Sequence, residues 1–75
     1  MEAQGIITLM NKEAKTLVIK TGSGAHSTSI NCHYSSAQEQ ELLVSFIDDR
    51  DIRVVGEWVS RMKMLFIEEY ELVIW

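Results

Sequence analysis

Within 75 residues the spacing of apolar side chains changes period twice, and that change leaves few folds open. The front of the chain alternates with period two. Thr16 to Thr21 sets Leu17 and Ile19 against Thr16, Val18 and Lys20, and Ser27 to Tyr34 sets Ile30, Cys32 and Tyr34 against Ser29, Asn31 and His33. Alternation of this kind suits half-buried strands of an antiparallel sheet. Gly5 to Met10 reads as a further strand, with apolar residues on both faces. The joining segments, Asn11 to Lys15 and Gly22-Ser23-Gly24, have the length and chemistry of hairpin loops.

The middle switches to a helical period. Ser36-Ala37-Gln38-Glu39 fits a capping box, in which a hydroxyl and a carboxylate satisfy free N–H groups at a helix start. Leu42, Leu43, Phe46 and Ile47 then form one apolar stripe, and Asp48-Asp49 ends it. Glu39 and Glu41 fall in the first turns, where the helix dipole favours negative charge. Beyond the helix, Ile52, Val54 and Gly56 alternate with Arg53, Val55 and Glu57, and Trp58-Val59 extend that strand. A polar break at Ser60-Arg61 precedes a last strand, Met64 to Ile74. There Leu65 and Ile67 share a side that Tyr70 and Leu72 regain after a one-residue slip, which predicts a β-bulge. The element order is β-β-β-α-β-β, an all-β chain with one helix.

Composition narrows the class further. Nearly half the residues are apolar and about a quarter charged, as in globular proteins. No apolar run approaches the ~20 residues needed to span a bilayer, and Met1 to Gln4 has no signal-peptide character. Cys32 is the only cysteine, so no internal disulfide forms, and packing must supply the stability. That points to an intracellular, cytoplasmic setting. The chain has no proline, which leaves the protection of sheet edges to charges or to a partner. Residues 1–34 carry three lysines against two acids. Residues 35–75 carry four cations against nine acids, and the whole chain is at −4. A dedicated polyanion binder is usually basic overall, so this balance argues against one.

Three strands, a helix and two strands is the element order of the OB-fold, a five-stranded Greek-key barrel. Ile30-Asn31-Cys32-His33-Tyr34 resembles the third strand of OB domains of the anticodon-binding-like group. Ile52 to Val59 resembles their fourth strand, and Phe66 to Leu72 their closing fifth. The chain departs from that pattern in two places. Gly5 stands at the start of the first strand instead of midway, and the last loop lacks the usual Gly or Asn. An SH3-like barrel lacks the long helix, and a sheet packed on one helix is the other rival.

The resemblance implies a binding module whose ligand crosses the outer face of strands two and three, rimmed by the loops joining strands one–two and four–five. That face would hold Val18, Lys20, Ser29, Asn31 and His33, and its rims Lys12, Lys15, Arg61 and Lys63. Cations neutralise phosphates, and Ser and Asn hydrogen-bond bases, so single-stranded DNA or RNA is the implied partner. Aromatic platforms are scarce on this face: His33 alone, with Tyr34 or Phe66 if the register slips by one. The plain alternative is a solvated sheet face. The rival function is a protein-binding adaptor or homo-oligomer that uses the acidic C-terminal half and exposed Trp58, Phe66 or Trp75.

Other constellations reduce to structure. Cys32 and His33 are adjacent on a strand and point to opposite faces, so with His26 they make no metal cluster. Gly22-Ser23-Gly24 lacks the strand-to-helix setting and the lysine of a phosphate loop. Asp48, Asp49 and Asp51 lack EF-hand spacing. No nucleophile-and-base arrangement is visible, so neither catalysis nor a cofactor is expected.

Overall fold

The computed structural model describes residues 1–22 and 24–73. It contains β1 (Glu2–Asn11), β2 (Thr16–Thr21), β3 (Thr28–His33), α1 (Glu39–Ile47), β4 (Asp51–Val59) and β5 (Met64–Leu72). The strands close a barrel in the order β1-β2-β3-β5-β4, with α1 between β3 and β4. All ladders are antiparallel except the short β3–β5 contact, which is parallel and joins Cys32 to Leu65 and His33 to Phe66.

The period-two pattern becomes the core directly. Leu17 and Ile19 of β2, Cys32 of β3, Ile52 and Val54 of β4, and Leu65 and Ile67 of β5 are buried, as is Tyr34 just past β3. Burial pushes the Cys32 thiol up to about 12, so the group behaves as a small hydrophobe. The bulge predicted in the last strand lies at Glu68. Val55 pairs with Glu69 and Gly56 with Ile67, so one residue is left over and Tyr70 packs against the core.

β1 departs from expectation and explains its two-faced pattern. It begins at Glu2, so Gly5 lies inside the strand, where β1 passes from pairing with β4 to pairing with β2. The ideal position of a Cβ at Gly5 lies 2.0 Å from the Lys20 carbonyl oxygen, so only glycine permits this approach. A second irregularity between Ile7 and Leu9 reverses the inward phase: Ile7 is buried, Leu9 exposed, and Met10 packs on the core.

The loops correct the expectation in detail. The β2–β3 connection spans residues 22–27 and includes a 3-10 turn at Gly24–His26, longer than a Gly22-Ser23-Gly24 hairpin. Ser23 is outside the described residues. The other two hairpins share one design. Asn11 pairs with Thr16 and Val59 with Met64, each pair enclosing four residues whose last is a lysine at positive φ: Lys15 at 59° and Lys63 at 51°. The loop between β4 and β5 thus needs no Gly or Asn, because Lys63 takes the left-handed position. The Asn11 side chain fixes the first of these turns by accepting the Glu13 and Ala14 N–H groups, each at 3.1 Å.

The helix start also shifts by one residue. Ser36–Gln38 form a 3-10 turn, and the Gln38 side chain accepts the Ser35 N–H at 3.0 Å. Glu39 does not close the predicted box. It faces Lys15 and Tyr34 instead. The apolar stripe is also narrower than predicted: Leu42 is buried and Phe46 packs on the core, but Ile47 is 69% exposed. Ser45 takes an inward position, its hydroxyl donating to the Glu41 carbonyl at 3.0 Å.

The helix ends in a Schellman motif with Asp49 at φ 52°. The Arg50 N–H reaches the Ser45 carbonyl at 3.1 Å and the Asp49 N–H the Phe46 carbonyl at 3.3 Å. A left-handed aspartate at a helix C-terminus is unfavourable both in backbone and in charge. Asp49→Gly is expected to stabilise the protein by about 1–2 kcal/mol in denaturant melts. Asp49→Asn, which removes only the charge, is expected to recover a smaller part of that gain.

Candidate functional site

Cross-strand register places the predicted face on one surface. Val18 stands opposite Asn31, Lys20 opposite Ser29, and Thr16 opposite His33, all in the outward phase of β2 and β3. Lys20, Ser29 and Asn31 are exposed, and Val18 and His33 are half-buried. Tyr34 faces inward, fully buried.

The surface is wider than two strands. Because β5 runs beside β3, Phe66 lies next to His33, and their rings stack with centroids 4.9 Å apart at 24°. Phe66 therefore reaches the face through the neighbouring strand and not through a register slip. On the other side, Leu9 of β1 stands opposite Val18 and is 61% exposed. Leu9, Val18, His33 and Phe66 thus give the surface an apolar centre, with Asn31 and Ser29 as its hydrogen-bonding groups. Strand order, which periodicity does not encode, is the signal that brings Phe66 and Leu9 in.

Charge pairing separates the cations into two sets. The Lys15 ammonium lies 3.0 Å from Glu39, Arg50 is 3.8 Å from Asp48, and Arg53 sits between Glu2 and Glu71. Lys12, Lys20, Arg61 and Lys63 make no ion pair among the described residues, and all four belong to the predicted face or its rims. Lys15, also expected on the rim, instead ties the β1–β2 turn to the helix start. Its hydrogen bond to Glu39 is the main cause that holds that carboxyl below its ordinary range. Tyr34 donates to the same oxygen at 3.2 Å.

At the far end of β2 an open cleft of about 260 Å³ is lined by Gln4, Gly5, Ile6, Lys20, Gly22 and Asp51. Gly5 lies where β1 passes from β4 to β2, and Gly22 takes a left-handed φ of 77°. On the β4–β5 face a smaller depression of about 70 Å³ is bordered by Arg53, Val55, Glu69, Tyr70 and Glu71. Tyr70 there donates to Glu41 at 2.7 Å, and burial together with this bond pushes its phenol up to about 12.

Of the aromatic residues expected as a contact patch, Trp58 is 40% exposed at the end of β4 and Phe66 belongs to the β3–β5 surface. Trp75, with Ile74, lies outside the described residues. Fold and surface together define a small closed β-barrel with one helix and a basic-rimmed outer face. Comparison with protein-family models, curated proteins and solved structures finds no match to this chain.

Proposed function

We propose that this chain is an OB-type module of the anticodon-binding-like kind that binds single-stranded DNA or RNA across the outer face of β2, β3 and β5. One observation carries the reading. In a chain at −4, the four Lys and Arg side chains without an acid partner among the described residues are those of this face and its rims. Phosphates meet Lys12, Lys20, Arg61 and Lys63, a base stacks at the His33–Phe66 pair, and Ser29 and Asn31 hydrogen-bond base edges. Acids elsewhere on the chain, and Glu57 opposite Phe66 on β4, keep the affinity weak.

The test is an amide NMR titration with a mixed-sequence single-stranded oligonucleotide at low and physiological salt. Shifts are expected near Lys20, Asn31, His33 and Phe66, and they should weaken as salt rises. Lys20→Glu should lower affinity and flatten the salt dependence, and His33→Ala should cost about 1–3 kcal/mol of binding. No shifts at either salt would refute the proposal.

The second reading, a protein-binding adaptor, rests on Val44 and Ile47. These are 48% and 69% exposed on α1, next to Asp48 and Asp49. It predicts self-association or a protein partner, with no response to oligonucleotide.

A further inference from the structure

β3 pairs with β2 along its whole length but with β5 only at Cys32 and His33. Among the described residues, the other margin of Thr28–Asn31 therefore has no strand partner. β5 has a matching gap from Ile67 onward, and there the molecule protects itself. Gln38 Nε2 donates to the Glu68 carbonyl at 3.4 Å, Tyr70 bonds Glu41 on the helix, and Glu68, Glu69 and Glu71 supply charge. Edges left open without such devices are templates for strand addition.

Among the described residues, Thr28–Asn31 has none of them. It contains no charge and no proline, and its ladder with β2 shows no bulge. Thr28, Ser29 and Asn31 are exposed, and Ile30 is half-buried. Two side chains bond its main chain: Thr21 Oγ1 to the Thr28 carbonyl at 3.3 Å, and the Cys32 thiol to the Ile30 carbonyl at 3.7 Å. Both come from β2 or from β3 itself, not from a covering segment.

We infer that the Thr28–Asn31 margin of β3 accepts an extended acidic peptide as an added strand. Main-chain hydrogen bonds supply the affinity, as in other strand additions. Charge sets the sign of the partner. Lys20 stands opposite Ser29, and Arg61 and Lys63 sit on the turn leading into β5, whose first residues run beside Cys32. A second copy of the chain is disfavoured, because its own margin would bring the same cations together. Four residues a side would also fall well short of the roughly 800 Å² per partner of a stable interface.

The probe is a synthetic peptide of residues 66–72, acidic through Glu68, Glu69 and Glu71, titrated into the intact protein. Amide shifts are expected at Thr28–Asn31, with slowed hydrogen exchange at the alternate amides that point away from β2. A peptide N-methylated at alternate amides should bind at least about tenfold more weakly, and one with lysine for each glutamate should also weaken. Three results would each overturn the inference: slow exchange, already in the free protein, of the Thr28–Asn31 amides that point away from β2, equal binding of the N-methylated peptide, or no shift at about 1 mM peptide. Oligonucleotide binding is read in its own titration, so either idea can fail alone.

Discussion

Replacing Gly56 by alanine is expected to cost at least about 3 kcal/mol and to lower the midpoint of thermal unfolding by more than about 12 °C. The ideal Cβ position at Gly56 lies 1.9 Å from the Phe66 carbonyl oxygen and 3.1 Å from the Glu68 N–H nitrogen. Neither atom is the end of a flexible side chain, so relief requires the β4–β5 ladder to move apart. That ladder shifts register between Val55 and Gly56, around the Glu68 bulge, and the shift lets both Ile67 and Tyr70 pack toward the core. A domain of this size has a total stability of roughly 4–11 kcal/mol, so the substitution removes much of it. Gly5→Ala, facing the Lys20 carbonyl at 2.0 Å, should be comparably severe. Thermal melts followed by far-UV circular dichroism read both. Wild-type melting of Gly56→Ala would show that β4 and β5 are not this close.

Tyr34→Ala comes next, at about 3–5 kcal/mol, because it empties a fully buried aromatic position under the helix start. Tyr34→Phe keeps the ring and loses only the hydrogen bond to Glu39, worth about 1 kcal/mol. The gap between the two variants in urea melts separates packing from hydrogen bonding. If both cost the same, the ring is not packed as described. The same groups set a pH dependence. The Glu39 carboxyl is held low, chiefly by Lys15, so its contribution is present above the ordinary carboxylate range and lost as pH falls through its lowered value. Tyr34 and Tyr70 are raised, chiefly by burial, and Tyr70 reaches about 12. Their contribution is full below the ordinary phenol range and is lost as pH rises through the raised values. Stability should therefore form a plateau between an acid and an alkaline limb. Glu39→Gln should reduce the acid limb, and Tyr70→Phe the alkaline one.

The candidate surface was partly readable from residue order, and the missing part has a definite cause. Val18, Lys20, Ser29, Asn31 and His33 share a face because β2 and β3 alternate without interruption, a local property of each strand. Phe66 and Leu9 join them only because β5 and β1 flank that pair in the closed barrel. Lys15 leaves the site for a similar reason. Its left-handed turn aims it at Glu39, which is remote in the chain and close only once the helix packs.

Residue order by itself determined the number and sequence of elements, the inward faces of β2, β3, β4 and β5, and the Glu68 slip. Each follows from side-chain period within one segment, where nearest neighbours decide which face meets water. Tertiary structure alone decided the strand order β1-β2-β3-β5-β4, the close approach at Gly5, the pairing of Lys15 and Arg53 with distant acids, and the open margin of β3. These depend on backbone distances between residues far apart in the chain, and no local pattern of hydrophobicity records such distances.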